Sequence, residues 1–216
     1  MLISCWSAKG GSGTTVVAAS LAILLSRADP AGAVLADLAG DAPAVLGLPE
    51  PDSPGLAGWL DAGEAVPADA LARLEVTVAP GLALLPRGSG ELRAERADVL
   101  ANLLDQGNRP VVADCGTHLH GAAEVVAAGA GRSLLVTRPC YLSLRHALRA
   151  SQRPSGVLVV REPGRALGRG DIERVVGAPV VAEIEADPAV ARAVDAGLLS
   201  AARLPRSIEK ALRHAA

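Results

Sequence analysis

Aromatic residues are almost absent from this chain, which has no Phe, one Tyr and two Trp among its 216 residues. Proteins that bind single-stranded nucleic acid without sequence preference stack the bases on aromatic side chains. The composition therefore argues against that mode of binding. Half of the residues are nevertheless hydrophobic, so alanine, leucine and valine can supply a sizeable core.

Cysteines and long apolar runs are also scarce. Cys5, Cys115 and Cys140 show no repeated spacing, which argues against a disulfide framework and favours a reducing compartment. The longest apolar run, residues 16–25, is about half of what a helix needs to cross a bilayer. The first residues lack the basic and apolar segments of a signal peptide. These observations predict a cytoplasmic protein.

Charge is distributed unevenly along the chain. Residues 1–131 contain 7 Lys or Arg against 15 Asp or Glu, and residues 132–216 contain 14 against 8. Such an asymmetry can mark a surface for an anionic partner.

Short apolar runs alternate with longer segments rich in alanine and leucine. The runs are continuous, as expected for strands that are covered on both faces. The pattern predicts one α/β domain over residues 1–216, with a doubly wound, mainly parallel sheet of about seven strands and helices on both faces. Strands are predicted at 2–6, 33–37, 82–85, 110–114, 133–137, 156–160 and 179–183, with a weaker edge strand at 75–78. Helices are predicted at 14–28, 56–61, 69–74, 92–106, 121–130, 142–152, 189–196 and 207–214, and a surface excursion at 47–67.

A glycine-rich segment, SAKGGSGTTV from Ser7 to Val16, lies between the first predicted strand and the first long predicted helix. Backbone N–H groups and the helix dipole at such a junction bind anions. Glycine at positions 10, 11 and 13 lets the backbone approach phosphate oxygens without Cβ clashes. The Thr15 hydroxyl is placed to coordinate Mg²⁺. The segment therefore predicts a phosphate-binding loop.

This loop matches the G-x-x-x-x-G-K-[ST] pattern only in part. Gly13 and Thr15 correspond to its last glycine and its hydroxyl, whereas Ala8 replaces the first glycine and Thr14 replaces the lysine. That lysine would reach the β- and γ-phosphates. A plain glycine-rich turn between a strand and a helix is the alternative that the pattern leaves open.

Two other kinds of site are considered for the same residues. Gly11, Gly13 and Asp37 at the end of the second predicted strand are typical of a dinucleotide site, but Val16 stands where its third glycine would be. Cys115, His118 and His120 have metal-ligand residue types without a convincing fourth ligand, so exposed histidines in a loop are the simpler interpretation.

Six segments together resemble, in order and over nearly the whole chain, the ParA/MinD superfamily of P-loop ATPases. KGGSGTT (9–15) resembles the deviant phosphate loop K-G-G-x-G-K-T-T of that family, whose first lysine is an additional signature lysine. The other matching segments are AVLADLAGDAPAVLGL (33–48), GLALLPRG (81–88), PVVADCGT (110–117), RSLLVTRPCYLSLRHALR (132–149) and GDIERVVGAPVVAEIEADPAVARAVDAG (170–197).

The resemblance implies ATP and Mg²⁺ as ligands and a homodimer as the active form. The residues implied in nucleotide binding are Lys9, Gly10, Gly11, Ser12, Gly13, Thr14, Thr15, Asp37 and Asp114. In the family the signature lysine, here Lys9, reaches the phosphates bound by the partner protomer. Thr15, Asp37 and Asp114 match the positions that hold Mg²⁺.

Several departures from the family pattern predict slow or absent hydrolysis. Phosphoryl transfer needs charge neutralisation and an oriented water, and Thr14 removes one positive charge. The second Asp of the family's D-x-D motif falls on Ala39, so Asp41 is the substitute candidate for a catalytic role beside Lys9. Arg161 and Glu162 stand where the family has an asparagine that reads adenine, and its I-P dipeptide is Ile184-Glu185.

Within the superfamily the chain is similar to the CpaE/TadZ proteins, which are associated with Flp (Tad) pilus assembly and polar positioning, and to septum-site-determining proteins. This similarity implies an ATP-binding dimerisation switch that positions a pilus or secretion apparatus, at the cell pole or at the periphery of the membrane. A DNA-segregating or septum-site-regulating ATPase and a scaffold that binds no nucleotide are the alternatives.

Two surfaces offer further contacts. Arg145, Arg149 and Arg153 are spaced to lie on one face of the predicted helix 142–152, near Arg138, and are candidates for non-specific contact with DNA phosphates. The last segment has a small apolar face, so a helix packed on the sheet is favoured over a membrane-binding helix.

Overall fold

The computed structural model describes residues 1–63, 66–200 and 204–213. Its strands are β1 Leu2–Ser7, β2 Ala33–Asp37, β3 Val76–Ala79, β4 Leu82–Leu85, β5 Val111–Thr117, β6 Arg132–Thr137, β7 Gly156–Arg161 and β8 Val180–Glu185. The helices are α1 Thr14–Ala28, α2 Ala42–Leu46, α3 Gly55–Asp61, α4 Ala97–Gln106, α5 Gly121–Gly129, α6 Tyr141–Ala147, α7 Arg169–Val176, α8 Pro188–Asp195 and α9 Arg206–Leu212. Two 3₁₀ turns, Ala68–Ala70 and Ala72–Leu74, precede β3.

All eight strands form one sheet in the order β3-β4-β2-β5-β1-β6-β7-β8. Only the pair β3 and β4 is antiparallel. One face of the sheet packs against α3 to α7, and the other packs against α1, α2, α8 and α9. This confirms the predicted doubly wound α/β fold, with the weak run near residue 76 forming the eighth strand at the edge.

Neighbouring residues of β1 pack into opposite cores, which explains why the apolar runs are continuous. Leu2 and Trp6 lie in one core and Ile3 and Cys5 in the other, all at most 1% exposed. The indole N–H of Trp6 donates to the Ser133 hydroxyl at 2.9 Å, so the buried ring keeps a polar partner.

Helix α4 is shorter than predicted, because it begins at Ala97 and not at residue 92. Arg96 adopts a left-handed conformation, with φ of 63°. Its guanidinium donates to the Trp59 carbonyl at 2.8 Å and stacks 4.2 Å from the centre of the Trp59 ring. These tertiary contacts hold residues 92–95 outside the helix, as a loop.

Helix α6 also ends early, at Ala147, where residue 152 was predicted. The N–H groups of Arg149 and Ala150 bond to the carbonyls three residues before them, which tightens the chain into a turn. Arg149 and Arg153 therefore lie beyond the helix, and the predicted line of arginines on one helical face is wrong.

The predicted surface excursion at 47–67 is also corrected, since Leu56 and Trp59 of α3 are at most 4% exposed. Helices α2 and α7 were not predicted. Helix α7 carries local signals at both ends: Asp171 accepts from the Gly168 N–H at 3.0 Å, and Gly177 is left-handed at its C-terminus.

The last described helix, α9, packs against β8 and α1, with Ile208 and Leu212 at most 1% exposed. This confirms the packed interpretation for its described part; residue 214, the predicted end, lies outside the described residues. Within the described ranges, no helix is both long and apolar enough to span a membrane.

Candidate functional site

The glycine-rich loop lies where the order of the strands reverses. Strand β1 is flanked by β5 on one side and β6 on the other, and the loop follows it directly into α1. Ligands of open α/β sheets bind at the carboxyl ends of the strands at such a switch point. The predicted phosphate loop therefore has the position that the fold favours for a ligand.

The loop backbone needs glycine at two positions. Gly11 and Gly13 have φ of 76° and 87°, the left-handed region that side chains disfavour. A Cβ built on Gly10, Gly11 or Gly13 meets nothing within 4 Å, so open space lies in front of all three. The Ser12 hydroxyl donates to the Lys9 carbonyl at 2.7 Å and closes the turn. The loop therefore has a shaped backbone facing an open region.

That open region is a cavity of about 1290 Å³ along the carboxyl edge of the sheet. It brings together the loop, the segments that follow β2 and β5, the loop before α4 and the end of α8. Its lining includes Gly11, Ser12, Gly13, Thr14, Thr15, Ala39, Asp41, Arg87, Arg93, Gly116, Thr117 and Asp195. It is larger than the usual small-molecule site of about 300–1,000 Å³.

Asp114 is fully buried within β5, beside the loop. Its Oδ1 accepts from the Gly116 N–H at 3.1 Å, whereas its Oδ2 is buried without a hydrogen-bond partner among the described residues. Burial raises the pKa of this carboxyl to about 6, and the negative charges of Asp37 and Asp41 add to the increase. The Thr15 hydroxyl is close enough to oppose this shift in pKa, but it does not satisfy Oδ2.

Asp37 is held away from the cavity. Its Oδ1 accepts from the N–H groups of Ala39 at 3.0 Å and Gly40 at 2.6 Å, and its Oδ2 accepts from Ala42 at 3.1 Å. Burial raises the pKa of Asp37, and these three hydrogen bonds only partly offset the increase. A carboxylate with both oxygens committed to its own loop positions that loop, and it is not free to read a ribose as a dinucleotide site would require.

Asp41 lies at the start of α2, is exposed and lines the cavity. Ala39 packs close to Gly116, since a Cβ built on Gly116 would lie 3.2 Å from that of Ala39. The segments after β2 and β5 are thus in direct contact at the cavity floor. The structure brings Asp41, Asp114 and Thr15 close to one another.

Lys9 is half-buried and does not line the cavity. Its ammonium group lies 3.4 Å from the Gly10 carbonyl, and its charge acts on Cys140 at the start of α6. Burial raises the pKa of the Cys140 thiol, but the hydrogen bonds with Ser143 and the charges of Lys9 and Arg165 outweigh this and lower it. Lys9 therefore faces the α6 side of the loop and not the space in front of the glycines.

Ion pairs occupy the other end of the carboxyl edge, where the family pattern has its adenine-reading asparagine. Glu162 pairs with Arg138 and also accepts from Arg165 Nε at 2.8 Å, while Arg161 pairs with Glu183 at 3.0 Å. The side-chain hydrogen bond from Arg165 is the main cause that lowers the pKa of Glu162. These charged groups pair with one another. Arg161 and Glu162, which depart from the family pattern, are therefore both held in ion pairs on this surface.

The cysteine and histidines after β5 do not converge. The Cys115 thiol is buried, which raises its pKa, whereas His118 and His120 are exposed in the following turn. No group of three or more His, Cys, Asp or Glu side chains within the described ranges is arranged to hold a metal ion by itself.

Sequence reasoning missed Arg87, which enters the cavity from the loop after β4. The guanidinium-bearing side chain passes over Gly40, whose Cβ, if present, would lie 3.2 Å from Arg87 Cδ. The only available signal was its position at the carboxyl end of a predicted strand, in the segment GLALLPRG.

Solved structures with the same fold are ParA- and MinD-type proteins. A ParA family ATPase from Chlorobium tepidum superposes with a TM-score of 0.80 at 21% identity, covering 98% of this chain and 95% of that one. MinD from Pyrococcus horikoshii in complex with Mg-ADP gives 0.74 at 21% identity, covering 92% and 86%. The ATP complex of a McdA variant from Cyanothece gives 0.74 at 18% identity, covering 99% and 95%.

No protein-family model and no curated protein sequence matches the chain. At these identities the structural likeness establishes the fold, which is that of the ParA/MinD ATPases and confirms the fold implied by the motifs.

Proposed function

We propose that this protein binds Mg-ATP at the carboxyl edge of its sheet and uses the bound nucleotide to control its dimerisation. The observation that carries the proposal is the buried, unpartnered Oδ2 of Asp114, which lies beside Thr15 and the open glycine loop. Buried polar atoms are nearly always satisfied in native proteins. An orphaned carboxylate oxygen beside Thr15, which lines the cavity, therefore points to a ligand that completes it.

Charge supports a divalent cation as part of that ligand. Asp37, Asp41 and Asp114 act on one another, and no positive group is among the main influences on the pKa of Asp37 or Asp114. Mg²⁺ prefers oxygen ligands and, in nucleotide sites, uses one or two protein groups together with phosphate oxygens and water. Thr15 and Asp114 fit that limited set. The bound ion would neutralise charge between the phosphates and this acidic cluster.

Hydrolysis is proposed to be slow or absent. Thr14, at the position of the phosphate-loop lysine, is only 6% exposed, and Lys9 does not line the cavity. Ala39 has no group that could orient water, which leaves Asp41 as the candidate for that role. Such a site binds nucleotide without the full set of charges that phosphoryl transfer uses.

The surface beside the loop suits a second copy of the chain. Tyr141 and Leu142, at the start of α6, and Leu148 beyond its end are 74%, 45% and 50% exposed. Tyr141 directly follows Cys140, on which the charge of Lys9 acts. Exposed apolar patches of this kind commonly mark interfaces. A partner seated there would place its own phosphates near Lys9, as the resemblance implies. ATP drives this association only if it binds the dimer better than the monomer.

The proposed role of the switch is to position a cellular machine, with a Flp/Tad-type pilus or secretion apparatus as the leading candidate. The similarity to CpaE/TadZ proteins supports it. The MinC:MinD complex from Aquifex aeolicus is an example of this fold in complex with another protein. For this chain, pilus or secretion proteins as partners remain part of the proposal.

The test follows dimer mass and phosphate release together during a titration with Mg-ATP. We expect Mg-ATP to raise both the melting temperature and the fraction of dimer, and Lys9→Ala to abolish dimer formation while leaving the monomer folded. Lys210→Ala, at the exposed and only other lysine, is the matched control. An unchanged melting temperature at millimolar Mg-ATP would instead favour the scaffold that binds no nucleotide.

A DNA-binding ATPase is the second candidate. Arg145, Arg149 and Arg153 are exposed, and none has a carboxylate within ion-pair distance in the described part of the chain. Arg138, the fourth candidate, is already paired with Glu162. Binding to random duplex DNA that weakens steeply with salt, and is lost when the three free arginines are replaced, would favour this function.

A further inference from the structure

We infer that Arg87 supplies the positive charge that the phosphate loop lacks and binds the terminal phosphate of the nucleotide. The inference rests on the proposed function, because it assumes that a nucleoside triphosphate occupies the cavity. It assigns a role in binding to a residue outside the loop.

The loop itself presents no cation to the cavity. Thr14 is neutral, and Lys9 faces the α6 side. Across the loop, Asp41 and Asp114 are negative groups beside the place where the phosphates would lie. A triphosphate in that place needs a balancing cation beyond Mg²⁺, since anionic groups in a partly enclosed cavity repel one another strongly.

Arg87 is the side chain best placed to provide it. Residue 87 follows β4 and shares the cavity with Gly11–Thr15. It is half-buried, and no carboxylate of the described residues lies within ion-pair distance of its guanidinium. Packing over Gly40 orients its stem, and a side chain at Gly40 would displace it. The guanidinium is thus positioned and has no partner of its own.

Arg93 provides the contrast within the same cavity wall. It too lines the cavity, but its guanidinium pairs with Asp61 at 3.6 Å and its side chain is 58% exposed. One arginine of the wall is therefore committed to a carboxylate and the other is not. This difference makes Arg87, and not any arginine nearby, the candidate for a phosphate.

The direction of approach selects the terminal phosphate. Strand β4 is separated from β1 by β2 and β5, so the loops after β4 and β1 are about 14 Å apart, at three strand spacings. The glycine loop would hold the phosphates nearest to it. Arg87 enters from the opposite side, and it would contact the terminal phosphate of a triphosphate that extends from the loop towards β4. An arginine fork suits that group, because it donates two parallel hydrogen bonds to phosphate oxygens.

Calorimetric titration of the full chain with Mg-ATP and with Mg-ADP tests this assignment. Arg87→Ala should weaken Mg-ATP binding about tenfold to a hundredfold, as expected for a lost charge-assisted contact, and change Mg-ADP binding by no more than about twofold. Arg87→Lys should fall between wild type and Arg87→Ala, since it keeps the charge without the fork. Arg93→Ala should weaken Mg-ATP binding less than Arg87→Ala does, because the Arg93 guanidinium is paired with Asp61.

Melting temperatures without ligand establish that each variant is folded. Equal weakening of Mg-ATP and Mg-ADP, or no weakening of either, overturns the role of Arg87 while the proposed function stands. A wild-type chain that binds neither nucleotide overturns both. A loss in Arg93→Ala as large as that in Arg87→Ala would also overturn the assignment, because it would indicate a general effect of charge in the wall.

Discussion

The two ends of the carboxyl edge of the sheet differ in whether their charged side chains are paired. After β1, β2 and β5 the chain leaves an open glycine loop, three neighbouring acidic groups and a buried carboxylate oxygen without a partner. After β6 and β7 it pairs Arg138, Arg165 and Arg161 with the carboxylates of Glu162 and Glu183. One buried donor, Arg138 Nε, is the exception on that side.

Under the proposed function, this difference separates a surface that binds a ligand from one whose charged groups pair with each other. Unsatisfied polar groups are expensive to bury, which is why the unpaired Oδ2 of Asp114 carries the proposal of a bound ligand. At the other end the ion pairs stabilise the empty protein. Recognition of phosphate and metal is therefore better supported than recognition of a base. The following substitutions test that difference between the two ends.

The largest effect should come from Gly13→Ala at the phosphate end. The new methyl would occupy the space that phosphate oxygens need and would strain a residue with φ of 87°. We expect Mg-ATP affinity to fall about a hundredfold or more through lost hydrogen bonds, and the free energy of unfolding to fall by about 1–2 kcal/mol. Calorimetry and urea denaturation measure the two.

Gly177→Ala is the matched control for this change. Gly177 is also left-handed, with φ of 75°, and a Cβ there also meets nothing within 4 Å, but it ends α7 away from the cavity. It should reproduce the loss of stability and retain nucleotide binding. If Gly13→Ala bound Mg-ATP as Gly177→Ala does, the loop would be a plain turn.

A moderate effect should come from Asp114→Asn in the absence of metal. The pKa of Asp114 is raised to about 6, above about 3.9 in an unfolded chain. The folded state therefore binds the proton of the Asp114 carboxyl more tightly than the unfolded state does. The stability that this proton contributes is lost as pH rises from about 4 to about 6. The loss amounts to at most about 3 kcal/mol.

Replacing the carboxyl should remove most of that decline. We expect the free energy of unfolding of Asp114→Asn, measured in urea with EDTA, to exceed that of wild type above pH 6 and to converge with it near pH 4. The exposed Asp98→Asn should follow the wild-type profile. Identical profiles for wild type and Asp114→Asn would show that the buried carboxylate is already neutralised within the protein.

The smallest effect should come from Glu162→Gln at the paired end. The change removes the carboxylate that Arg138 and Arg165 share, and the partly exposed pairs are worth about 0.2–1 kcal/mol each. Unfolding free energy should therefore fall by about 1 kcal/mol, with Mg-ATP affinity within about twofold of wild type. Glu50→Gln controls for the change in net charge. A large loss of affinity would place these residues in the nucleotide site.

Much of the fold followed from local patterns. Continuous apolar runs predicted β1, β2 and β4 to β8, and a weaker run indicated the partly exposed edge strand β3. Asp29-Pro30 marked the end of α1 correctly. The start of α4 and the end of α6 were mispredicted. Contact between Arg96 and Trp59, residues far apart in the sequence, decides where α4 begins. Local helix propensity does not encode such a contact.

The sequence by itself determined the glycine-rich loop, the strands around it and the acidic residues Asp37, at the end of β2, and Asp114, within β5. Glycines that permit a left-handed backbone, and residues placed at strand ends, are local properties that a single segment encodes. Only the tertiary structure decided how these groups are used. Backbone N–H groups take up both oxygens of Asp37, one oxygen of Asp114 stays unpaired, and Arg87 faces the phosphate loop from three strands away. Burial, hydrogen-bond satisfaction and charge pairing depend on which segments the fold brings into contact, and the order of residues along the chain does not specify them.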